Sequence, residues 1–366
     1  MIIPPRHLGI CVSDLEKMRI IGVPISALSW LGRQGTKAVA ALVVIGIFLP
    51  SVGAVLKPYL TWAVFALLCT AFLRVDLSAV RAYMRRPVVV IAGTAWTSIA
   101  IPVLFGLSCM AFDLEATSPD LFLSLMLQAV SSPMMAAPAL ASLMGLDATL
   151  VLVTLTAGTA LVPFTAPFFT TLFVGHILSI SPLTLGLKLF GILSGAALVG
   201  FGLRRLYGVA VIERHNDKIN GFNIIVLFIF VAAIMENVGL RFLMTPGAAV
   251  MLTGLGFGVF FAVLFLTAVV FFPAGKNQAL ALAFMTSQRN LGLMLAATGG
   301  AVPELTWLYF ALAQFPLYLA PFLLQPLVRV ILEPAPLGKE DGRKRSTAVS
   351  VRRPTGSTPT PRNKPS

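Results

Sequence analysis

The chain has 366 residues, 57% of them hydrophobic and 11% charged, and a formal net charge of +13. That balance excludes a soluble domain of this length. Lys and Arg gather in loops and tails beside long apolar runs, which is the pattern of membrane topology and not of a nucleic-acid surface, so no nucleic-acid partner is expected. The reading is an all-α polytopic membrane protein set in a lipid bilayer as one bundle.

Residues 1–36 form a mixed, basic N-terminal segment with Arg6, Lys17, Arg19 and Arg33 among Ile, Leu and Trp. Either an interfacial or a disordered state fits it. It lacks the basic, apolar, small-residue order of a cleaved signal peptide, so the first apolar run is expected to act as its own insertion signal. The transmembrane domain, 37–332, carries apolar runs at 38–56, 58–73, 87–110, 121–143 and 148–174, then at 183–203, 221–235, 248–272, 278–300 and 305–332. A span needs about 20 helical residues, so about ten spans are expected. Residues 333–366 are rich in Pro, Ser, Thr and basic side chains and read as a disordered cytoplasmic tail. Cys11, Cys69 and Cys109 have no metal-ligand spacing and read as packing thiols. Gly254, Gly256 and Gly258 read as close helix packing, and Asp147 as the turn into the fifth span.

Basic residues near span ends stay on the cytoplasmic side. With ten spans, the N-terminus, the loop with Arg74, Arg81, Arg85 and Arg86, the loop with Arg204, Arg205, Arg214 and Lys218, and the tail share one side. The opposite loops hold only Lys57 and Arg241. Both termini are therefore expected in the cytoplasm, with the chain in the cell's inner (plasma) membrane.

The ninth run is interrupted at mid-length by Thr286, Ser287, Gln288, Arg289 and Asn290. A guanidinium at that depth costs at least about 2.5–3.5 kcal/mol, so Arg289 should face protein or a wet cavity. Its bland reading is a structural arginine bonding helix-end carbonyls. The fourth run holds Gln128, Ser131, Ser132, Pro133 and Pro138, and its two prolines favour a kinked or unwound middle. Five plus five spans would place the halves in opposite senses, an inverted repeat in which the fourth and ninth spans correspond.

The chain here resembles the bile acid:sodium symporter superfamily. The resemblance rests on 73–87 with Asp76 and the Arg-Arg-Pro ending, 93–102, 131–147, 154–167 and 287–292, with Asp147 sixteen residues before Pro163 and Asn290 two before Gly292. It implies a ten-span 5+5 inverted repeat with broken, crossing fourth and ninth helices, and secondary transport of a small organic anion. The sodium pattern of the family's bile acid members is altered. Thr97 stands where they carry Gln, Pro138 and Ala139 where they carry Ser-Asn, and Phe284, Met285 and Thr286 occupy the neighbourhood of their acidic residue. Thr156 matches a family hydroxyl ligand. A sodium site needs several hard oxygens, so Arg289 is expected to stand in for the ion; sodium or a proton remains open as coupling ion, with no other cofactor. The arsenite exporters' cysteine in the fourth-span break is missing, which argues against arsenite.

The substrate- or ion-binding set expected is Arg289, Asn290, Gln288, Ser287, Thr286, Ser131, Ser132, Thr97 and Thr156. No metal site and no catalytic residue is expected, since His7, His176 and His215 fall in loops or termini and no Ser-His or carboxylate pair lies within a span. A passive channel or uniporter is the alternative, and an intramembrane enzyme ranks below it. Confinement of polarity to two mid-span breaks favours alternating access. The topology is checked by fusing a reporter after Ser366: it should be active in the cytoplasm, and activity only outside would reverse the orientation.

Overall fold

A computed structural model describes residues 29–30, 46, 48–75, 87–175 and 177–332. The N-terminal segment up to 28, the first part of the first expected span (38–45), the loop with Asp76, Arg81, Arg85 and Arg86, and the tail lie outside the described residues. Seven helical runs among the described residues are long and apolar enough to cross a membrane. Helix α1 (Pro50–Leu56) passes through a 3-10 turn at Lys57–Tyr59 into α2 (Leu60–Arg74). Helix α3 (Pro87–Ala95) continues through a π-helical turn, Trp96–Ala100, into α4 (Ile101–Ala111). Then come α5 (Pro119–Val130), α6 (Ala137–Leu143) and α7 (Ala148–Phe169). The second half brings α8 (Pro182–Tyr207), α9 (Asn216–Ile234), α10 (Pro246–Phe271), α11 (Lys276–Ser287), α12 (Leu291–Thr298), α13 (Glu304–Leu312) and α14 (Gln314–Leu332).

Local chemistry sets many of these ends. Proline opens α5, α8 and α10, where its missing N–H is not needed. Side-chain oxygens of Asp147, Ser181 and Asn290 accept from the backbone N–H three residues on and cap α7, α8 and α12. Gly299 takes φ 67° to end α12, a conformation open to glycine at little cost. Asp147 thus sets the turn into α7 as its sequence position suggested.

The expected fourth and ninth spans are each broken in two, and three of the four pieces, α5, α11 and α12, carry much of the interior, while α6 buries only Ala137 and Ala141. Every residue of α12, and α5 from Phe122 onward, is buried. The long helices surround them and turn apolar side chains outward, such as Leu187 and Leu198 on α8 and Val250 and Phe265 on α10. Lipid replaces water as their neighbour, so such exposure is the normal outer surface of a membrane bundle. Helix α5 is tied to α13 by two buried bonds: the Tyr309 hydroxyl donates to Gln128 Oε1 at 2.5 Å, and Ser124 Oγ donates to Thr306 Oγ1 at 3.0 Å.

Two expectations change. The span boundary expected at Lys57, between runs 38–56 and 58–73, is not there: Pro50–Arg74 is one continuous helical run of 25 residues with the 3-10 turn inside it, because Pro58 sits in the opening positions of that turn, where a missing N–H breaks nothing. Of the three α10 glycines read as close packing, only Gly256 meets a neighbour, with Ala313 Cα 3.4 Å from where its Cβ would stand; Gly254 and Gly258 face open space. The close approach lies instead between α8 and α2. A Cβ on Gly200 would stand 2.7 Å from the Cys69 carbonyl oxygen and 2.9 Å from the Leu73 nitrogen. These are backbone atoms, so Gly200→Ala should destabilise by about 1–3 kcal/mol through overpacking. Gly202→Ala, with no neighbour within 4 Å, should be neutral or slightly stabilising. Thermal unfolding of both variants in detergent checks the difference, and equal midpoints would contradict this packing.

Candidate functional site

The two breaks pair with each other. Residues 131–136 between α5 and α6 and residues 288–290 between α11 and α12 leave the helix, and Pro133 and Arg289 form an antiparallel bridge. Met134 N donates to the Gln288 carbonyl and Asn290 N to the Ser132 carbonyl, each at 2.8 Å. Unwound backbone within an apolar bundle must find partners, and here each break supplies them to the other. Pro133 accounts for part of the opening, since it brings no N–H to either strand of the bridge.

Arg289 lies at this crossing, 3% exposed. Its Nη1 donates to the Ser131 carbonyl at 2.9 Å, and Nη1 and Nη2 both reach the Thr97 carbonyl at 3.5 Å. Both carbonyls are ones the helices leave over. Ser131 follows the last residue of α5. Thr97 lies in the π-helical turn, where the Ile101 N–H bonds to Trp96; its next helical donor would be Pro102, which has none. The guanidinium therefore binds two spare carbonyls, the role set beside the functional one from sequence. Neither salt bridge among the described residues involves Arg289, so its charge is held by dipoles alone.

A cavity of about 760 Å³ opens beside the crossing. It extends from Asn290, Leu291 and Gly292 past Met134, Gln314 and Tyr318 to Asn220 and Arg74. Among the described residues its walls are mostly aliphatic, no carboxylate lines it, and Arg74 and Arg289 are its basic members. Among the sequence-predicted site residues, only Arg289 and Asn290 line it. The Asn290 side chain also accepts from Leu293 N at 3.0 Å, holding the start of α12 beside the cavity.

The remaining predicted residues lie behind the crossing or on their own helices. The Thr97 and Thr286 hydroxyls meet at 2.9 Å, Gln288 Nε2 donates to the Leu317 carbonyl at 3.2 Å, and Ser131 and Ser287 bond back within their own turns. Thr156 donates to the Leu152 carbonyl of its own helix at 2.7 Å and does not line the cavity. The buried oxygens of Ser132, Thr94, Thr154, Thr159 and Gln288 Oε1 have no hydrogen-bond partner among the described residues. Thr70, Arg74, Asn220, Asn223, Gln314 and Tyr318 line the cavity without having been singled out for it. The spacing of Thr70 and Arg74 on α2 and of Asn220 and Asn223 on α9, one helical turn in each case, was the available signal.

Among the described residues, no group of three or more His, Cys, Asp or Glu could hold a metal ion. At the crossing the guanidinium occupies the Ser131 and Thr97 carbonyls, two oxygens that a hard cation could otherwise use. The fold and site thus define a multi-pass helical membrane protein with two broken helices paired at its centre and a cavity beside them. No family model matches the chain, and no curated protein matches it either.

Thr97 and Thr286 tie the π-helical turn to α11, and their coupling can be measured. A double-mutant cycle of Thr97→Val and Thr286→Val in thermal unfolding should give an interaction of about 1 kcal/mol, the net value of one hydrogen bond. Additive effects would mean that the hydroxyls do not meet.

Proposed function

We propose that this chain is a secondary transporter of a small organic anion, working by alternating access on the plan of the bile acid:sodium symporter superfamily. The reading takes ten spans in a 5+5 inverted repeat, with the pieces of the fourth and ninth as the crossing pair and both termini in the cytoplasm. The observation that carries it is the bridge between the two breaks, beside a cavity with no carboxylate in its walls among the described residues. Cationic side chains and a mostly aliphatic lining suit an amphipathic anion, in keeping with the general make-up of small-molecule sites.

In this reading the cavity opens towards the cytoplasm, while the far end is closed. Lys57 pairs with Glu236 at 2.7 Å and lies 4.9 Å from the Trp307 ring centroid, and Arg241 pairs with Glu304. Rocking one group of helices against the other would open that end and close the Arg74 end, carrying the site between faces. The closed end favours a transporter over a passive channel. Arg289 supplies, as a fixed part of the chain, the positive charge that bound sodium supplies elsewhere in the superfamily.

The test is calorimetric titration of dodecanoate into the protein in lipid nanodiscs, with Na⁺ or N-methylglucamine as the cation. Native affinity should be nearly the same in both. Arg289→Ala should weaken binding at least tenfold, or about 1.4 kcal/mol. Arg289→Lys should recover only part, since an ammonium cannot span two carbonyls as a planar fork does. A steep Na⁺ requirement together with unchanged affinity in Arg289→Ala would remove the assignment.

A further inference from the structure

The cavity has a second polar end. Thr70 and Arg74 lie one turn apart on α2, and Asn220 and Asn223 one turn apart on α9. All four line the cavity at the end away from the crossing. They form one cluster across the two helices, since Thr70 Oγ1 donates to Asn223 Oδ1 at 2.6 Å. That bond uses the amide oxygen and leaves Nδ2 as a donor. Neither salt bridge among the described residues involves Arg74.

Between the ends the walls turn apolar, with Leu67 and Leu68 on α2 and Leu227 on α9. The separation follows from α2 itself. Val64 marks the crossing level, because its Cγ2 stands 3.3 Å from where a Cβ on Gly292 would be. Arg74 is ten residues further along the sequence, and helical rise places it about 15 Å away.

We propose that Arg74, with Asn220 and Asn223, is a second anion subsite of this cavity, and that its ligands are elongated amphiphiles carrying an anionic group at each end, the class of the α,ω-dicarboxylates. This rests on the anion-binding reading above. One carboxylate lies at the crossing, near Asn290 and under the field of Arg289. The apolar chain fills the middle, and the second carboxylate meets the Arg74 guanidinium and the amides. Arg74 is the specificity residue that separates two-headed anions from one-headed ones. A guanidinium suits this position because its fork matches a carboxylate at two points.

The experiment compares dodecanedioate with dodecanoate by equilibrium dialysis against the full chain in nanodiscs, subtracting the uptake of empty discs. Native protein should bind the dianion at least tenfold more tightly. The ratio should fall to about one in Arg74→Ala, fall partway in Asn220→Leu, and be partly kept in Arg74→Lys. Equal or weaker binding of the dianion by native protein overturns the subsite, as does a full preference in Arg74→Ala. Dodecanoate binding without a dianion preference leaves the anion site standing and removes only this proposal. Binding of neither ligand overturns both.

Discussion

An unpaired peptide group in an apolar bundle is costly, and that one constraint organises the centre of this protein. Two helices stop in mid-bundle, which frees backbone donors and acceptors where neither water nor lipid can satisfy them. The two openings meet, exchange two backbone hydrogen bonds of 2.8 Å, and leave the Ser131 carbonyl to Arg289. The Thr97 carbonyl, freed by the π-helical turn and Pro102, is drawn into the same cluster. Neither break would be tolerable alone. The stability of each depends on the other and on a cation from within the chain.

The same constraint explains which parts were legible in the sequence. A polar run inside an apolar span, as at 286–290, has few physical explanations, and paired prolines in the apolar run at 121–143 have few more. Both breaks could therefore be placed to within a few residues, and Asp147 could be read as a turn-setting residue. The direction of side chains was not legible. Arg289 is in the crossing as expected, yet its guanidinium turns to backbone carbonyls, and Thr97, Thr286 and Thr156 bond within or between helices away from the cavity. Hydroxyls in a membrane helix bond readily to their own backbone, so their presence says little about a ligand.

The cavity wall was missed for a related reason. Arg74 ends a span, where a basic residue already has a sufficient explanation in topology. Only the packing of α2 against α9 brings that terminus, with Asn220 and Asn223, to the cavity wall. Glycine spacing misled in the opposite direction. Gly254 and Gly258 lie on a helix whose outer face has no protein neighbour, whereas Gly200, which the sequence reading did not single out, takes the close contact with α2. Small-residue patterns report that a helix can be approached, not that it is.

Lys57 and Arg241, the two basic residues that stood against the general charge asymmetry, are each engaged by an acid on another helical segment, Glu236 and Glu304. Their presence on the side expected to be poor in basic residues is then accounted for by packing at that end of the bundle. The two ends consequently differ in kind. One is tied by ion pairs and by Trp307, whose indole N–H also donates to the Ile234 carbonyl at 3.2 Å. The other leaves Arg74 without a carboxylate partner among the described residues, over an open cavity. A resident guanidinium at the crossing bears on how such ends could exchange. An ion that binds and leaves can couple a conformational change to its own gradient through its different affinity for the two states. A covalently held cation has no gradient and stays in both, so in the proposed transporter it fixes the electrostatic preference for anions without supplying a driving force. Any coupling would then have to come from the substrate's own gradient or from a group other than Arg289.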